Sequence, residues 1–284
     1  MDHIYKGLLN KKAKGIKSFA ILIDPDHQKL KNLEVLIDQA NKYSVDYFFI
    51  GGSLVLQDRV EETIKLIREN SEIPIVLFPG NGFQVSIQAD AILFLSLISG
   101  RNADFLIGRQ VETAPKLHAS KLEVISTGYM LIDGKASNTA AYMSHTQAIP
   151  AEKSEIAQAT ALAGEYLGMK LIFMDAGSGA LKTVSEDMIH RVNKSVQIPL
   201  LIGGGIRDAE KAYDILKAGA DGSYEYYVLG KAAVETNYGN FKNGEPVALF
   251  TFSGNGGSAS QVSALESNDP FIKIADKTMS LNVG

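Results

Sequence analysis

Phe19-Ala20-Ile21-Leu22-Ile23-Asp24-Pro25-Asp26 sets five apolar residues against an acidic corner stiffened by proline. An unbroken apolar run of this length fits a parallel strand buried on both faces. The residues just past the strand separate the competing parallel folds. A doubly wound sheet built for a dinucleotide places a glycine fingerprint there, and Asp24-Pro25-Asp26 is not one. Outward from this point, β-rich runs recur at 45–50, 75–78, 91–94, 122–126, 170–174, 199–202 and, less cleanly, 224–229. Between them lie helix-length segments at 30–43, 59–69, 153–167, 186–194 and 209–218; the first carries Leu33, Leu36, Ile37 and Ala40 at helical spacing. Eight strands with interleaved helices over roughly 230 residues predict the α/β class and a modified TIM (β/α)8 barrel.

The rest of the chain agrees with a soluble single domain. Of 284 residues, 45% are hydrophobic and 21% charged, which supports a sizeable core and argues against wholesale disorder. Lysine and arginine total 28 against 32 acids, a net charge of −4, so no basic surplus points to nucleic acid. Cysteine is absent, which excludes disulfides, thiolate metal sites and a cysteine nucleophile. No long apolar region comes after Met1-Asp2-His3, and the apolar stretches at 91–98 and 247–252 are too short to span a bilayer, so a cytoplasmic protein is expected. Residues 236–284 differ: eighteen of these 49 are Gly, Ser or Asn. The expected division is a barrel over 1–235 and a poorly structured tail over 236–284.

In a barrel the chemistry gathers where strands end. Asp24-Pro25-Asp26-His27 reads either as a corner for a hard cation such as Mg²⁺ or as a turn with Asp26 capping the next helix. Gly51-Gly52-Ser53 reads as a ligand-approach loop or a plain one. The later strand ends carry Asp175-Ala176-Gly177-Ser178-Gly179-Ala180, Gly203-Gly204-Gly205-Ile206-Arg207 and Gly230-Lys231. Glycines there let backbone N–H groups close on phosphate oxygens; otherwise they only make tight turns. Three such ends in the part of the barrel that recurrently binds phosphate favour a phosphate site. The five histidines lack zinc-like spacing, and no Walker A sequence occurs.

These motifs together resemble the geranylgeranylglyceryl phosphate synthases and their heptaprenyl relatives. The matching stretches are ILIDPD (21–26), FIGGSL (49–54), LFPG (77–80), ADAILFLS (89–96), LIG (106–108), TGYML (127–131), ALAGEYLGMK (161–170), DAGSGA (175–180) and IGGGIR (202–207), all in family order. The resemblance implies that the 3-hydroxyl of sn-glycerol 1-phosphate attacks C1 of a prenyl diphosphate, forming an ether and releasing diphosphate. It implies Mg²⁺ held by Asp24 and Ser53, and Asp175 as the base, at a position where Glu is common. Glycerol phosphate would lie along Phe173, Met174, Asp175, Ala176, Gly177, Ser178 and Gly179, with Gly204, Gly205, Gly230 and Lys231. Phe173 stands where Tyr is common. Candidate walls for the prenyl chain are Tyr129 and the small-residue face Ala157, Ala161 and Gly164, unless those alanines merely let their helix lie close to the barrel. The resemblance also implies a homo-oligomer of two chains or more and transient membrane contact for the lipid product.

The match weakens after Ala218-Gly219-Ala220-Asp221. Eight residues, 222–229, precede Gly230-Lys231 where relatives have a shorter strand and a Gly-Asn turn. Two readings therefore compete with the active prenyltransferase: a phosphate-binding barrel that has lost catalysis and serves as a binding or scaffold protein, and another phosphosugar-type barrel enzyme, against which ILIDPD and FIGGSL argue.

Overall fold

The computed structural model describes residues 3–25, 30–52, 59–80, 84–136, 139–207, 209–227, 234–236 and 250–252. Eight parallel strands close into a barrel in chain order: β1 (Ser18–Ile23), β2 (Tyr47–Ile50), β3 (Ile75–Leu77), β4 (Ala91–Leu97), β5 (Glu123–Leu131), β6 (Leu171–Asp175), β7 (Leu200–Gly203) and β8 (Gly222–Tyr227). Closure falls to β8, which pairs with β1 from Ser18↔Gly222 to Ile23↔Tyr227 and with β7 from Leu201↔Gly222 to Gly203↔Tyr224. The eighth strand, where the sequence is least typical, is therefore in register on both sides. It begins two residues before the expected 224–229 run. A two-stranded antiparallel ladder joins β9 (Val234–Thr236) to β10 (Phe250–Phe252). Of the expected tail, only 236 and 250–252 lie among the described residues.

Alternation along the strands makes two apolar layers. Inward side chains, among them Leu22, Phe49, Phe78, Leu93, Ile125, Tyr129 and Phe173, fill the barrel. Outward ones such as Ile21, Phe48 and Ile50 pack beneath helices α2 (Leu30–Lys42) and α3 (Val60–Asn70). On the other half, Met130, Ile172, Met174 and Ile202 pack beneath α6 (Ser154–Tyr166), α7 (Glu186–Asn193) and α8 (Ala209–Ala218). All five helices that the spacing predicts are present within two residues of their expected bounds.

Three helices were not expected from the sequence, and each has a local cause. Helix α1 (His3–Ala13) carries only Ile4 and Leu8 as buried residues, too few to stand out as a periodic face. Those two reach the floor of the barrel interior, a burial worth about 1.5–3 kcal/mol per side chain. The Glu123 carboxylate accepts from the backbone N–H groups of Ile4 and Tyr5 at 2.8 and 2.7 Å. Lys11 pairs with Asp46, and Lys12 with Asp221 at 2.7 Å, fastening the helix beneath β1, β2 and β8. Helix α4 (Arg109–Ala119) contains Pro115, and α5 (Thr139–Ser144) is very short.

Among the described residues no helix lies between β3 and β4. Their ladder covers only Val76↔Ala91 and Leu77↔Ile92, so β4 continues for five residues without a β3 partner. The wall is thinnest there.

Because β8 completes the barrel, deleting residues 224–231 should abolish cooperative unfolding. Ending the chain near residue 240 should leave the melting midpoint nearly unchanged, since the sequence beyond it is rich in Gly, Ser and Asn and has little apolar surface to set against a backbone ordering cost of about 1–2 kcal/mol per residue. Calorimetry of the two shortened chains checks both. Unfolding of the 240-residue chain alone would reassign the stabilising element to β10.

Candidate active site

Parallel strands bring all their C-terminal ends to one mouth. Asp175, the last residue of β6, points inward from it and is only 1% exposed. A carboxylate buried this deeply needs hydrogen-bond donors. The Tyr129 hydroxyl donates to Oδ2 at 2.5 Å and the Gly177 N–H to Oδ1 at 2.6 Å. Tyr129 is held in turn by ring contacts with Phe78 and Phe173, whose centres lie 5.9 and 5.8 Å away. The acceptor is thus fixed from two sides, and an ionised carboxylate keeps lone pairs for a further donor.

The loop after β6 turns over this anchor. Gly177 lends its N–H to Asp175, so among the expected phosphate contacts it shapes the loop instead of donating outward. The N–H groups of Ser178, Gly179, Gly204 and Gly205 meet no acceptor among the described residues. Ser178 and Gly179 are exposed. Gly204 has φ +83° and faces this loop so closely that a Cβ would stand 2.6 Å from the Gly177 nitrogen and 2.7 Å from Asp175 Oδ1. No side chain fits there. From the β5 side, the Gly134 carbonyl accepts from the N–H groups of Leu181 and Lys182 at 2.9 and 3.1 Å. Arg207 donates to the Ala180 carbonyl at 3.0 Å. Amides with no acceptor among the described residues, on a loop braced on both flanks, suit an anion.

Other expected site residues fall elsewhere. Phe173 is fully buried in the aromatic layer below Asp175, and the Met174 side chain is fully buried on the outer side against the helices. Ala176, 3% exposed, also packs outward. These three can meet a ligand through backbone or not at all. Gly230 and Lys231 lie outside the described residues, as do Asp26, His27 and Ser53. Asp24 follows β1 at the same mouth, and its Oδ2 lies 3.0 Å from where a Gly52 side chain would begin. Gln84, 3% exposed and unremarked in the sequence, ties this corner together: Nε2 donates to the Gly52 carbonyl at 3.1 Å while Oε1 accepts from the Gly80 N–H at 3.2 Å.

Among the described residues no three carboxylates or imidazoles gather as a metal cage. One carboxylate at the mouth still fits Mg²⁺, which keeps several waters and is usually shared between one or two carboxylates and substrate phosphates.

An apolar cavity of about 110 Å³ opens beside Tyr129 at the thin part of the wall. Phe78 and Pro79 after β3, Leu93 and Leu95 of β4, and Phe105 and Met143 line it. The expected wall along Ala157, Ala161 and Gly164 is not open: both alanines are fully buried, and all three residues let α6 lie against the barrel. Tyr129 does border the cavity, and its bond to Asp175 was not foreseen. The slot opens where β3 is short, and strand length is poorly marked in sequence.

Known proteins resemble this chain over most of its length. The family model described as PcrB family matches residues 11–241. A geranylgeranylglyceryl phosphate synthase of Chitinophaga pinensis is 54% identical over 220 residues, covering 78% of this chain and 87% of that protein. One from Pyrococcus furiosus is 39% identical over 202 residues, covering 71% and 80%. The crystal structure of (S)-3-O-geranylgeranylglyceryl phosphate synthase from Thermoplasma acidophilum in complex with its substrate sn-glycerol-1-phosphate superposes with a TM-score of 0.75 at 31% identity, covering 81% and 92%.

Gly204→Ala tests the loop. The strained backbone and the contact with Gly177 should cost about 1–3 kcal/mol, lowering the melting midpoint by several degrees. Inorganic phosphate should bind at least about tenfold more weakly. Unchanged binding by phosphorus NMR titration would remove the amides of this loop from the anion site.

Proposed function

Because the chain belongs to the PcrB family, we propose that it joins sn-glycerol 1-phosphate to geranylgeranyl diphosphate through an ether bond, with Mg²⁺ and release of diphosphate. The observation that carries this reading is Asp175. It is a buried, doubly anchored carboxylate with an anion-suited loop on one side and an apolar slot beside its tyrosine on the other.

In this reading the amides of Ser178, Gly179, Gly204 and Gly205, joined by Gly230 and Lys231, hold the phosphate of glycerol phosphate. Its 3-hydroxyl then meets Asp175, which accepts the proton as oxygen attacks C1 of the prenyl group. Tyr129 keeps the carboxylate pointed at that hydroxyl. Asp is one methylene shorter than Glu, and the Tyr129 and Gly177 bonds fix it where its reach must suffice. Asp24 with Ser53 would hold Mg²⁺, which when bound neutralises the departing diphosphate. The hydrocarbon lies in the slot between β3 and β4, away from water. β8 closes the barrel in register, which argues against a displaced strand as the ground for an inactive scaffold, while Gly230 and Lys231 lie outside the described residues.

Exposed Ile107 and Val111, one helical turn apart at 60% and 63% exposure, support a homo-oligomer of two chains or more. Among the described residues no helix is long and apolar enough to cross a membrane. A product with one long hydrocarbon chain implies transient contact with a bilayer for its release.

The decisive assay is diphosphate release from geranylgeranyl diphosphate, expected only when sn-glycerol 1-phosphate and Mg²⁺ are both present. Release without the glycerol phosphate would mean hydrolysis and would refute the transfer reaction. Asp175→Ala should lower kcat about 10²–10⁴-fold. A loss confined to the glycerol phosphate KM would make Asp175 a binding group. Asp24→Asn should abolish turnover with the fold intact, and near-normal kcat at saturating Mg²⁺ would contradict the metal assignment.

A further inference from the structure

Beyond Ile92, β4 runs along the slot with no strand on its β3 side among the described residues, and buried backbone carbonyls there need other donors. Gln110, in the first turn of α4 and 9% exposed, supplies one. Its Nε2 donates to the Leu95 carbonyl of β4 and, at 3.3 Å, to the Phe105 carbonyl.

Phe105 belongs to a single π-helical turn, Asp104–Gly108, in which the Arg109 N–H reaches back five residues to the Asp104 carbonyl. Such turns are rare and cluster at functional sites. Two more contacts hold it: Ser96 Oγ donates to the Leu106 carbonyl at 2.6 Å, and the Arg109 guanidinium sits 4.6 Å from the Phe105 ring centre. The open edge of β4 and the π turn are thus stitched together, and the slot lies against the seam.

The orientation of the Gln110 amide is forced, because turning it over would set Oε1 against two carbonyl oxygens. Oε1 is left buried with no hydrogen-bond partner among the described residues, in a residue that lines the cavity. A buried unsatisfied acceptor lowers stability. An apolar side chain of similar volume would avoid that cost and lose the seam.

We propose that Gln110 is a positioning residue for the prenyl substrate: its carboxamide clamps the π turn to the open edge of β4 and so sets the slot that receives the hydrocarbon chain. The proposal rests on the reading that the slot holds that chain.

The test uses the full chain and steady-state kinetics with geranylgeranyl diphosphate and sn-glycerol 1-phosphate. Gln110→Leu should raise the KM for the prenyl diphosphate about tenfold or more while the KM for glycerol phosphate stays within about twofold. Gln110→Glu puts a carboxylate against the two carbonyls, and burial there favours its protonated, donating form. Its prenyl KM, taken relative to wild type at each pH, should fall as pH is lowered from about 8 to about 6. That recovery decides the matter even if Gln110→Leu does not fold. An unchanged prenyl KM, a parallel rise in both KM values, or a pH-independent Gln110→Glu defect would each overturn the proposal. Failure of the wild-type protein to turn over geranylgeranyl diphosphate would instead sink the functional reading on which it rests.

Discussion

A carboxylate with 1% exposure at the mouth of the barrel must be provided for by everything around it. Asp175 is provided for by Tyr129 from β5 and by the Gly177 N–H from its own loop. The first bond locks an aromatic layer that includes Phe78 and Phe173. The second folds the loop at Gly177, and the next two residues along the chain, Ser178 and Gly179, are exposed. The empty Cβ position of Gly204 lets β7 approach that folded loop. Acceptor, anion loop and apolar wall are therefore one construction, and the geometry of each depends on the same carboxylate.

The two halves of the barrel serve this arrangement differently. Across β5, β6 and β7 the ladders are long and the covering helices pack close, with Ala157 and Ala161 fully buried beneath α6. That rigidity suits a loop whose amides must stay aligned. Around β3 the ladder to β4 is short and no helix lies between these two strands in chain order among the described residues, so side chains take over from strands. Gln84 joins the ends of β2 and β3, and Gln110 joins β4 to the π turn. The gap thus gains a hydrocarbon-lined slot without losing its backbone partners.

Strand order, five of the helices and the glycine-rich ends were legible because they rest on local signals: apolar runs, helical spacing and turn residues. Asp24 and Asp175 were legible as carboxylates at strand ends. What escaped depends on distant partners. Tyr129 reads as a wall residue until Asp175 is found across the ladder, 46 positions away. Gln84 and Gln110 carry no sequence signal, since their importance comes from carbonyls left over by a short β3. Helix α1 hides because two buried residues and a carboxylate from β5 are enough to seat it. The small residues of α6 were ambiguous in sequence, and packing settles them as contact residues.

The central claim is that the hydroxyl acceptor stands between an anion loop at β6 and β7 and a hydrocarbon slot at β3 and β4. A crystal structure with sn-glycerol 1-phosphate and a non-cleavable thio analogue of geranylgeranyl diphosphate tests it directly. The account predicts phosphate on the amides of Ser178, Gly179, Gly204 and Gly205, the 3-hydroxyl within hydrogen-bond reach of Asp175, and the prenyl chain between β3 and β4. A prenyl chain lying along α6, or a 3-hydroxyl turned away from Asp175, would contradict it.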